Sequence, residues 1–522
     1  MDAAKTTEEK REFNDYPPVC AIYTGGTVGI IHENDGNTLR QASLEEFIDH
    51  IPQLKKLKFD IHFYSYKNAI DSSNIKSNQW KFMARFIDMM HTLYQGFVII
   101  HGVNTMAYTA SALSFMLKNV SMPIVLTGAE YPLTDFGSDA AENLVDALNV
   151  AGHLSNKYTN IPMVSVLFGK KLFSGTRATK KVSLDPADGF YSPNYPVIAS
   201  LTNDRIYGYN ANLQSHTATG NTAIEYLPFM KDPGGILICD IYPDMDMDAF
   251  EDHCKHDGLQ SLILRTYGTG GIPDSDKKFM SCIKTLIGKN VLVVSLTQCP
   301  IGEVEYRLFE TNAKLFYLGV VNGGDMITEA AYCKVKYLLA KYGSPKLPSG
   351  ECGEHEKSEL KKRFESISKE MSENQKGEMS INTYVIRPVA TGDVVAPNNP
   401  IYYNVKLPDL NAKVVCSAIL MLDVASIEEG DPNGNADVSV VVDGMNILFG
   451  KYKQKIPHKN NDEQGENQQI YPITMNATDE LRKLKAKEEY RGAFTLRVNS
   501  LSHKLKAGTM SIVISARVDQ NQ

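Results

Sequence analysis

The stretch VCAIYTGGTVG, residues 19–29, joins a mostly apolar run to a glycine-rich turn. A run of this kind is typical of a strand buried on both faces of a parallel sheet. Thr24 then stands at the carboxyl end of that strand, where open α/β sheets place their ligand sites. Gly25 and Gly26 would let the backbone approach a ligand and offer N–H groups to an anion or oxyanion. The segment lacks the Lys-Ser/Thr ending of a phosphate-binding loop, which argues against nucleotide binding.

Similar runs recur along the first 300 residues and alternate with stretches of helical periodicity. Ser77 is placed to cap one such helix, and another follows Gly102. This alternation predicts an α/β fold with mostly parallel sheets, built as two successive units. The further strand candidates are GFVIIHG (96–102), PIVLTG (123–128), MVSVLFG (163–169), GGILICDI (234–241), SLILRTYG (261–268) and NVLVVSL (290–296).

Beyond about residue 380 the helical periodicity fades and alternation typical of β-strands takes over. We therefore predict a C-terminal all-β sandwich or jelly roll, with a polar, mobile loop at Lys451–Gln469. The predicted organisation is an N-terminal tail (1–16), an N-terminal α/β domain (17–205), a linker (206–225), a second α/β domain (226–380) and the β-sandwich (381–522).

Composition narrows the class of protein. The chain has 522 residues, with 54 Lys and Arg against 61 Asp and Glu, and this net charge of −7 argues against a general nucleic-acid binder. Apolar runs stay well short of the roughly 20 residues that span a membrane. The polar N-terminus does not resemble a signal peptide. Eight scattered cysteines without metal spacing predict core thiols in a reducing compartment. We expect a cytoplasmic protein with neither metal nor cofactor.

Taken together, several motifs carry a specific resemblance. YTGGTVG (23–29) is followed by Asp71-Ser72-Ser73, by HGVNTM (101–106), by TGAEYP (127–132) and by RATK (177–180). In this order and spacing the sequence resembles the L-asparaginase family, most closely its cytoplasmic type I branch, over roughly residues 17–380. The resemblance implies a two-domain α/β core, a homo-oligomer, and hydrolysis of an amide through an acyl-enzyme on a threonine nucleophile.

The resemblance also implies roles for individual residues. Thr24 corresponds to the nucleophile, and Lys180 to the lysine of a second catalytic cluster. A lysine of lowered pKa beside a threonine hydroxyl is a sensible proton relay. Ser72, together with backbone N–H groups near Gly25, corresponds to the site of the substrate carboxylate.

This sequence departs from the family motif at chemically critical positions. The family's His-Gly-Thr-Asp-Thr reads His-Gly-Val-Asn-Thr here, so Val103 replaces a hydroxyl and Asn104 replaces the acid that faces the substrate ammonium. Gly271 replaces an asparagine, the stretch Ile30–Arg40 lacks the usual tyrosine, and Glu130 stands where an uncharged residue is commoner. Concerted losses of this kind predict very weak turnover of free asparagine.

Three functions therefore stay open. The first is a catalytically impaired structural or scaffold protein whose C-terminal domain binds a protein partner. The second is an active amidohydrolase that converts L-asparagine to aspartate and ammonia with Thr24 and Lys180. The third is a protein that binds L-asparagine or a related amino acid as a sensor.

Each site residue also has a structural interpretation. Thr24 and the two glycines could serve only the turn, Lys180 could be an ordinary solvated lysine, and Ser72 could cap a turn or helix. For His101 we favour a buried histidine with satisfied hydrogen bonds.

Overall fold

In a computed structural model of the protein, two compact units divide the chain, Met1–Ser380 and Ile381–Gln522. The structure of the first unit is described for residues 2–5, 17–32, 38–119, 122–153, 164–202, 205–207, 225–226, 235–305, 310–350 and 352–380. For the second unit it describes the strands and the helix given below.

Strands and helices alternate through most of the first unit. Its strands are β1 (Asp2–Lys5), β2 (Val19–Tyr23), β3 (Ile30–His32), β4 (Leu39–Gln41), β5 (Ile61–Ser65), β6 (Gly96–Ile100), β7 (Leu117–Lys118), β8 (Ile124–Thr127), β9 (Val164–Phe168), β10 (Lys171–Ser174), β11 (Thr179–Lys180), β12 (Phe190–Tyr191), β13 (Ala199–Thr202), β14 (Arg205–Tyr207), β15 (Glu225–Tyr226), β16 (Ile236–Asp240), β17 (Ser261–Thr266), β18 (Leu292–Thr297) and β19 (Val321–Asn322). Its α-helices are α1 (Leu44–Asp49), α2 (Ser77–Met90), α3 (Met106–Met116), α4 (Ala140–His153), α5 (Met247–Lys255), α6 (Lys277–Gly288), α7 (Glu310–Tyr317), α8 (Thr328–Tyr342) and α9 (Glu354–Met371).

A nine-stranded sheet of order β1-β5-β2-β6-β8-β9-β10-β13-β14 forms the first half of this unit. Its five central strands, in the order β5-β2-β6-β8-β9, are parallel to one another, and β1 and β10 pair antiparallel at either side of them. Every residue of β2, β6 and β9 is buried, because helices cover both faces of the sheet and the apolar runs satisfy both. The predicted α/β fold and parallel sheet are confirmed.

The second half repeats the pattern in a four-stranded parallel sheet of order β16-β17-β18-β19. Its core includes Leu262, Leu264 and Val293, which pack against Phe279 and Ile283 of α6. Helix α8 then packs on α3 of the first half, through residues such as Tyr332, whose ring meets that of Tyr108 edge to face at 5.8 Å.

The expected cap at Ser77 was wrong, and two strands lie in or beside the predicted tail and linker, whose bounds stay predictions. Asp2–Lys5, assigned to a tail, forms strand β1, which pairs antiparallel with β5 at the sheet edge. Ser77 is the first residue of α2 rather than its cap, because Lys76 occupies the capping position. Strand β15 pairs with β7 of the N-terminal half, although we placed Tyr226 in the second domain. Most of the predicted linker lies outside the described residues.

Cysteines divide between core and surface. Cys20, Cys254, Cys282 and Cys333 are buried free thiols, as the core interpretation predicts. Cys299 is exposed, so that interpretation was wrong for it.

The second unit contains two five-stranded antiparallel sheets in its described part. Their strands are β20 (Asn382–Ile386), β21 (Val389–Ala390), β22 (Val394–Val395), β23 (Ile401–Lys406), β24 (Lys413–Glu429), β25 (Asn435–Val442), β26 (Ile447–Lys455), β27 (Tyr471–Asn476), β28 (Ala493–Ser500) and β29 (Lys504–Val518). The antiparallel β content agrees with the sequence pattern, and the packing of the sheets as a sandwich stays a prediction.

Two details of the second unit correct the sequence analysis. Helix α10 (Thr478–Lys485) interrupts the expected all-β region, and its Leu481 is buried. Residues 451–455 of the predicted polar loop belong to β26, and 456–469 lie outside the described residues. In the described residues of the whole chain, we find no helix long and apolar enough to cross a membrane.

Candidate active site

The predicted site residues converge at one edge of the nine-stranded sheet. Ser72 follows β5, Thr24 follows β2, Val103 and Asn104 follow β6, and Glu130 follows β8. These four strands are adjacent and parallel, so their carboxyl ends lie side by side. Sequence order alone does not give this neighbourhood, which depends on the crossover connections between strands.

Thr24 lies at the end of β2 with only 2% of its surface exposed. Its hydroxyl Oγ1 donates a hydrogen bond to the Ile100 carbonyl at 2.9 Å, and its backbone N–H donates to the same oxygen at 3.0 Å. The partner that the structure gives this hydroxyl is thus a main-chain carbonyl of β6, not the Lys180 amine. A carbonyl in this place positions the hydroxyl but cannot remove its proton as a general base does.

The glycines after Thr24 are required by close packing of the backbone. Gly25 and Gly26 have φ angles of 128° and 95°, in the region that disfavours other residues. A Cβ on Gly25 would lie 2.6 Å from the Ile70 nitrogen, and one on Gly26 would lie 2.6 Å from Gly102 Cα. The turn interpretation therefore accounts for both glycines, whether or not their N–H groups also bind a ligand.

Ser72 is buried beside the same backbone. A Cβ on Gly102 would lie 2.5 Å from Ser72 Oγ, so the serine hydroxyl sits directly against the turn that follows β6. The Thr105 hydroxyl donates to the Ser72 carbonyl at 2.8 Å. The cap of the short 3-10 helix here is Asp71, whose carboxylate accepts the Ser73 N–H at 2.9 Å. The capping interpretation of Ser72 was therefore wrong.

The two altered motif residues face different surroundings. Val103 is buried among apolar neighbours of the first core, including Met106. Asn104 is exposed, and its Nδ2 donates to Ser73 Oγ at 3.1 Å. The Val103 side chain thus offers no polar atom, and the Asn104 side chain offers an amide that carries no charge.

Lys180 forms an ion pair at this edge of the sheet. It lies in β11, and its Nζ contacts the Glu130 carboxylate directly, with the side chains 23% and 3% exposed. The amine also lies 5.3 Å from the centre of the Phe190 ring, close enough for a cation–π interaction. The interpretation of Lys180 as an ordinary solvated lysine was therefore wrong.

Hydrogen bonds around Lys180 and Glu130 fix their backbones. The Glu130 N–H donates to both oxygens of Asp139 at 3.1 Å, and Asn143 Nδ2 donates to Asp139 at 3.0 Å. Thr179, just before Lys180, donates its hydroxyl to Glu329 of α8 at 2.6 Å. Burial raises the pKa of Glu130 above its ordinary value, although the Lys180 ammonium acts to lower it.

His101 is part of a closed hydrogen-bond chain, as its structural interpretation predicts. Trp80 Nε1 donates to Thr109 Oγ1 at 2.9 Å, and the Thr109 hydroxyl lies 2.9 Å from His101 Nε2. His101 Nδ1 lies 2.7 Å from the Gly102 carbonyl and must donate to it. Burial lowers the pKa of His101 to about 4, so the ring is neutral at pH 7 and fixes the turn beside Thr24.

The tyrosine nearest to Thr24 in sequence faces the other side of the sheet. Tyr23 stacks on Phe47 with 5.6 Å between ring centres, and Gln41 of β4 contacts its hydroxyl. Since neighbouring side chains of a strand point to opposite faces, Tyr23 does not supply the tyrosine missing from the hairpin β3–β4.

The described residues contain no group of three or more His, Cys, Asp or Glu side chains that could hold a metal ion. Gly271, which replaces a family asparagine, pairs with Tyr267 in an isolated β-bridge at the end of β17. A Cβ on Gly271 would meet the Tyr267 carbonyl oxygen at 3.5 Å, an ordinary contact.

Glu130 is the site residue that sequence reasoning undervalued. The sequence carries a signal for it, an unusual charge at position 130, but the partner of Glu130 lies 50 positions away on a separate hairpin. Glu329 was missed altogether because nothing in the helical pattern of α8 distinguishes an inward-facing acid.

Comparison with known proteins agrees with this geometry. Residues 18–214 match the family model "Asparaginase, N-terminal", and residues 236–347 match "Glutaminase/Asparaginase C-terminal domain". L-asparaginase 1 of Escherichia coli (strain K12) is 33% identical over 363 residues, which are 69% of this chain and 98% of that protein. L-asparaginase of Dirofilaria immitis is 31% identical over 348 residues, which are 62% of this chain and 57% of that protein.

A solved structure extends the likeness to three dimensions. The thermostable L-asparaginase from Thermococcus kodakarensis superposes with a TM-score of 0.58 at 27% identity, covering 69% of this chain and 99% of that one. The sheet order, the two matched domains and these relatives agree, and the chain belongs to the asparaginase family.

Proposed function

We propose that this protein carries the asparaginase fold, hydrolyses free L-asparagine very slowly, and acts as a structural or scaffold component. The observation that carries the proposal is the pairing of Lys180 with Glu130, in a chain that has Val103 where the family has a threonine. The lysine that would relay a proton is thus occupied by a carboxylate.

Three chemical needs of amide hydrolysis are weakened together. A threonine hydroxyl attacks only when a base takes its proton, and such a base contributes about 10²–10⁴ in rate. An ammonium on the substrate needs a negative partner, and a charge-assisted hydrogen bond is worth roughly 1.5–3 kcal/mol. Asn104 supplies no charge and Val103 no hydroxyl. These effects do not add simply, but each acts against turnover.

The second unit supports a scaffold role. Both family models end before residue 381, where the second unit begins. E. coli L-asparaginase 1 is matched over 98% of its length by 69% of this chain. We propose that Ile381–Gln522 provides a surface for a protein partner, and that the core forms a homo-oligomer in the cytoplasm.

A second candidate is an active L-asparagine amidohydrolase. The position of Thr24, buried at the end of β2 between two tight turns, favours it, as do relatives named L-asparaginase. In this case Thr24 would attack the side-chain amide, with Lys180 assisting and with Ser72 and the Gly25 backbone binding the carboxylate of L-asparagine or a related amino acid.

Ammonia release distinguishes the two candidates. The purified full-length protein is incubated at high concentration with L-asparagine, alongside Thr24→Ala and the neighbouring control Thr27→Ala. We expect a trace rate that neither substitution changes. Saturable turnover that Thr24→Ala abolishes and Thr27→Ala leaves intact would overturn the proposal and establish the amidohydrolase. Calorimetric binding of L-asparagine without turnover would instead favour a sensor.

A further inference from the structure

The Lys180–Glu130 pair is shielded from water on the side of the acid. Glu130 is 3% exposed, whereas the neighbouring pair of Lys181 with Asp188 is open, with 42% and 35% exposed. An exposed pair exchanges readily with water and ions, and its net contribution is small. A half-buried pair persists, because separation would leave a carboxylate without solvent.

The position of Glu130 is built by the backbone around it, independently of Lys180. The backbone N–H groups of Glu130 and Tyr131 both donate hydrogen bonds to the Asp139 carboxylate, which fixes the backbone at Glu130. Gly189 leaves space for the carboxylate, since a Cβ there would lie 2.8 Å from Glu130 Oε1. The acid is therefore presented to Lys180 by the fold.

The opposite side of the site offers no competing partner at position 103. Val103 packs so closely that its Cγ1 would lie 3.1 Å from a Cβ on Gly128. In the family motif a hydroxyl at this position belongs to the same catalytic cluster as the lysine, whereas the two methyl groups of Val103 cannot accept or donate a hydrogen bond. The contact that the structure gives the Lys180 amine is therefore the Glu130 carboxylate.

We infer that Glu130 is a positioning residue that holds Lys180 as the ammonium half of an ion pair and withholds it from proton transfer at Thr24. The inference rests on the proposed function and gives its physical cause. An ammonium has no lone pair with which to accept the Thr24 proton, and the contacting Glu130 carboxylate holds the amine in a charge-assisted hydrogen bond. Restoring the lost hydroxyl and acid is then insufficient while the Glu130 carboxylate contacts the Lys180 amine.

Chemical labelling tests the pairing without any need for catalysis. The full-length protein is acylated with limiting acetic anhydride, and the modified lysines are quantified by peptide mass spectrometry. Glu130→Gln keeps the shape of the side chain, and Glu130→Met serves if that variant folds poorly. We expect several-fold faster labelling of Lys180 in either variant, because the amine then has no carboxylate of residue 130 in contact with it. The matched control Asp188→Asn should raise labelling at Lys181 and leave Lys180 unchanged.

Kinetics tests the consequence of the pairing. In the Val103→Thr/Asn104→Asp background, adding Glu130→Gln should raise kcat for L-asparagine by at least about tenfold, as release of a general base allows. KM should stay within twofold, because Glu130 is assigned to the lysine and not to the substrate. Asp188→Asn in the same background should change neither constant.

The outcomes separate this inference from the proposed function. Unchanged labelling of Lys180, or equal kcat with and without Glu130→Gln, would sink the inference even if the natural chain is inactive. Robust turnover by the natural chain would refute the proposed function directly, while faster labelling in Glu130→Gln would still establish the ion pair.

Discussion

A fully buried ion pair ties the end of the first unit to its core, and breaking it should destabilise that unit strongly. Lys334 of α8 and Glu378 both have no exposed side-chain surface, and Nζ lies 2.6 Å from Oε1. Lys334 also donates to the carbonyls of Met371 and Glu373, and the Glu378 carboxylate accepts the Gln375 N–H. Both charged groups are thus hydrogen-bonded to the backbone as well as to each other.

Replacing one member leaves the other charge buried and unpaired. Glu378→Gln would strand the Lys334 ammonium and turn an amide N–H₂ toward backbone donors, which should cost about 3–5 kcal/mol. The double variant Lys334→Met/Glu378→Leu removes both charges and should recover much of that loss. Glu359→Gln is the matched control, since Glu359 pairs with Lys362 on the exposed face of α9 and a surface pair is worth about 0–1 kcal/mol.

The assay uses a probe placed inside the same unit. Trp80 is the only tryptophan in the sequence, and it is buried in the core of the first unit. Its fluorescence during urea unfolding therefore reports on that unit in the full-length protein. A loss below about 1 kcal/mol for Glu378→Gln, no larger than that of a surface pair, would refute the reasoning.

The pH dependence gives an independent check. Burial acts to raise the pKa of Glu378, but the Lys334 ammonium and the backbone N–H donors outweigh it and hold the pKa below its ordinary value. A carboxyl whose pKa is lowered by folding stabilises the folded state at pH values above its unfolded pKa of roughly 4.3. That stabilisation is lost as the pH falls through the pKa of the folded state. The gap between the natural protein and Glu378→Gln should be constant from pH 5 to 8 and close only in stronger acid.

Three further predictions concern the candidate site. Gly25→Ala should destabilise the first unit by about 1–3 kcal/mol, because φ of Gly25 is 128° and a Cβ there would collide with the Ile70 backbone. The control Gly288→Ala has open space around the new Cβ and should change the free energy of unfolding by less than about 1 kcal/mol in the same urea assay. Thr109→Val should lower the free energy of unfolding by about 1–3 kcal/mol, because it leaves polar groups of Trp80 and His101 without a partner, whereas Thr109→Ser should keep most of the stability. Equal stability of the natural protein and both variants would contradict the hydrogen-bond chain. Because burial raises the pKa of Glu130, the natural protein should lose stability as pH rises through that value. Glu130→Gln, which has no carboxyl to ionise there, should lose less stability over the same interval, whatever its starting level; a larger loss in Glu130→Gln would contradict this sign.

The sequence predicts the buried strands well and the polar contacts poorly, for one physical reason. A strand such as β2 or β6 is covered on both faces, so its local composition already records its environment. Strand β1 has the sequence DAAK, which carries no alternation, and only its pairing with β5 makes it a strand. The gathering of Thr24, Ser72 and Asn104 at one edge followed from the resemblance, whereas the contact of Lys180 with Glu130 depends on where a hairpin returns.

The pairing of Lys180 with Glu130 helps to explain the replacement of the family's threonine and aspartate by Val103 and Asn104. If Val103 and Asn104 were isolated losses, the amine would be left half-buried with no counter-charge, a costly arrangement. Instead the Glu130 carboxylate meets it, on a backbone that Asp139 and Asn143 secure and beside a Gly189 that leaves room. The ionised acid is itself disfavoured by burial, so Lys180 and Glu130 depend on each other for their charges. A mutually dependent pair is a stable alternative to a proton relay, and it accounts for an ordered but weakly reactive site better than simple decay of the pocket does.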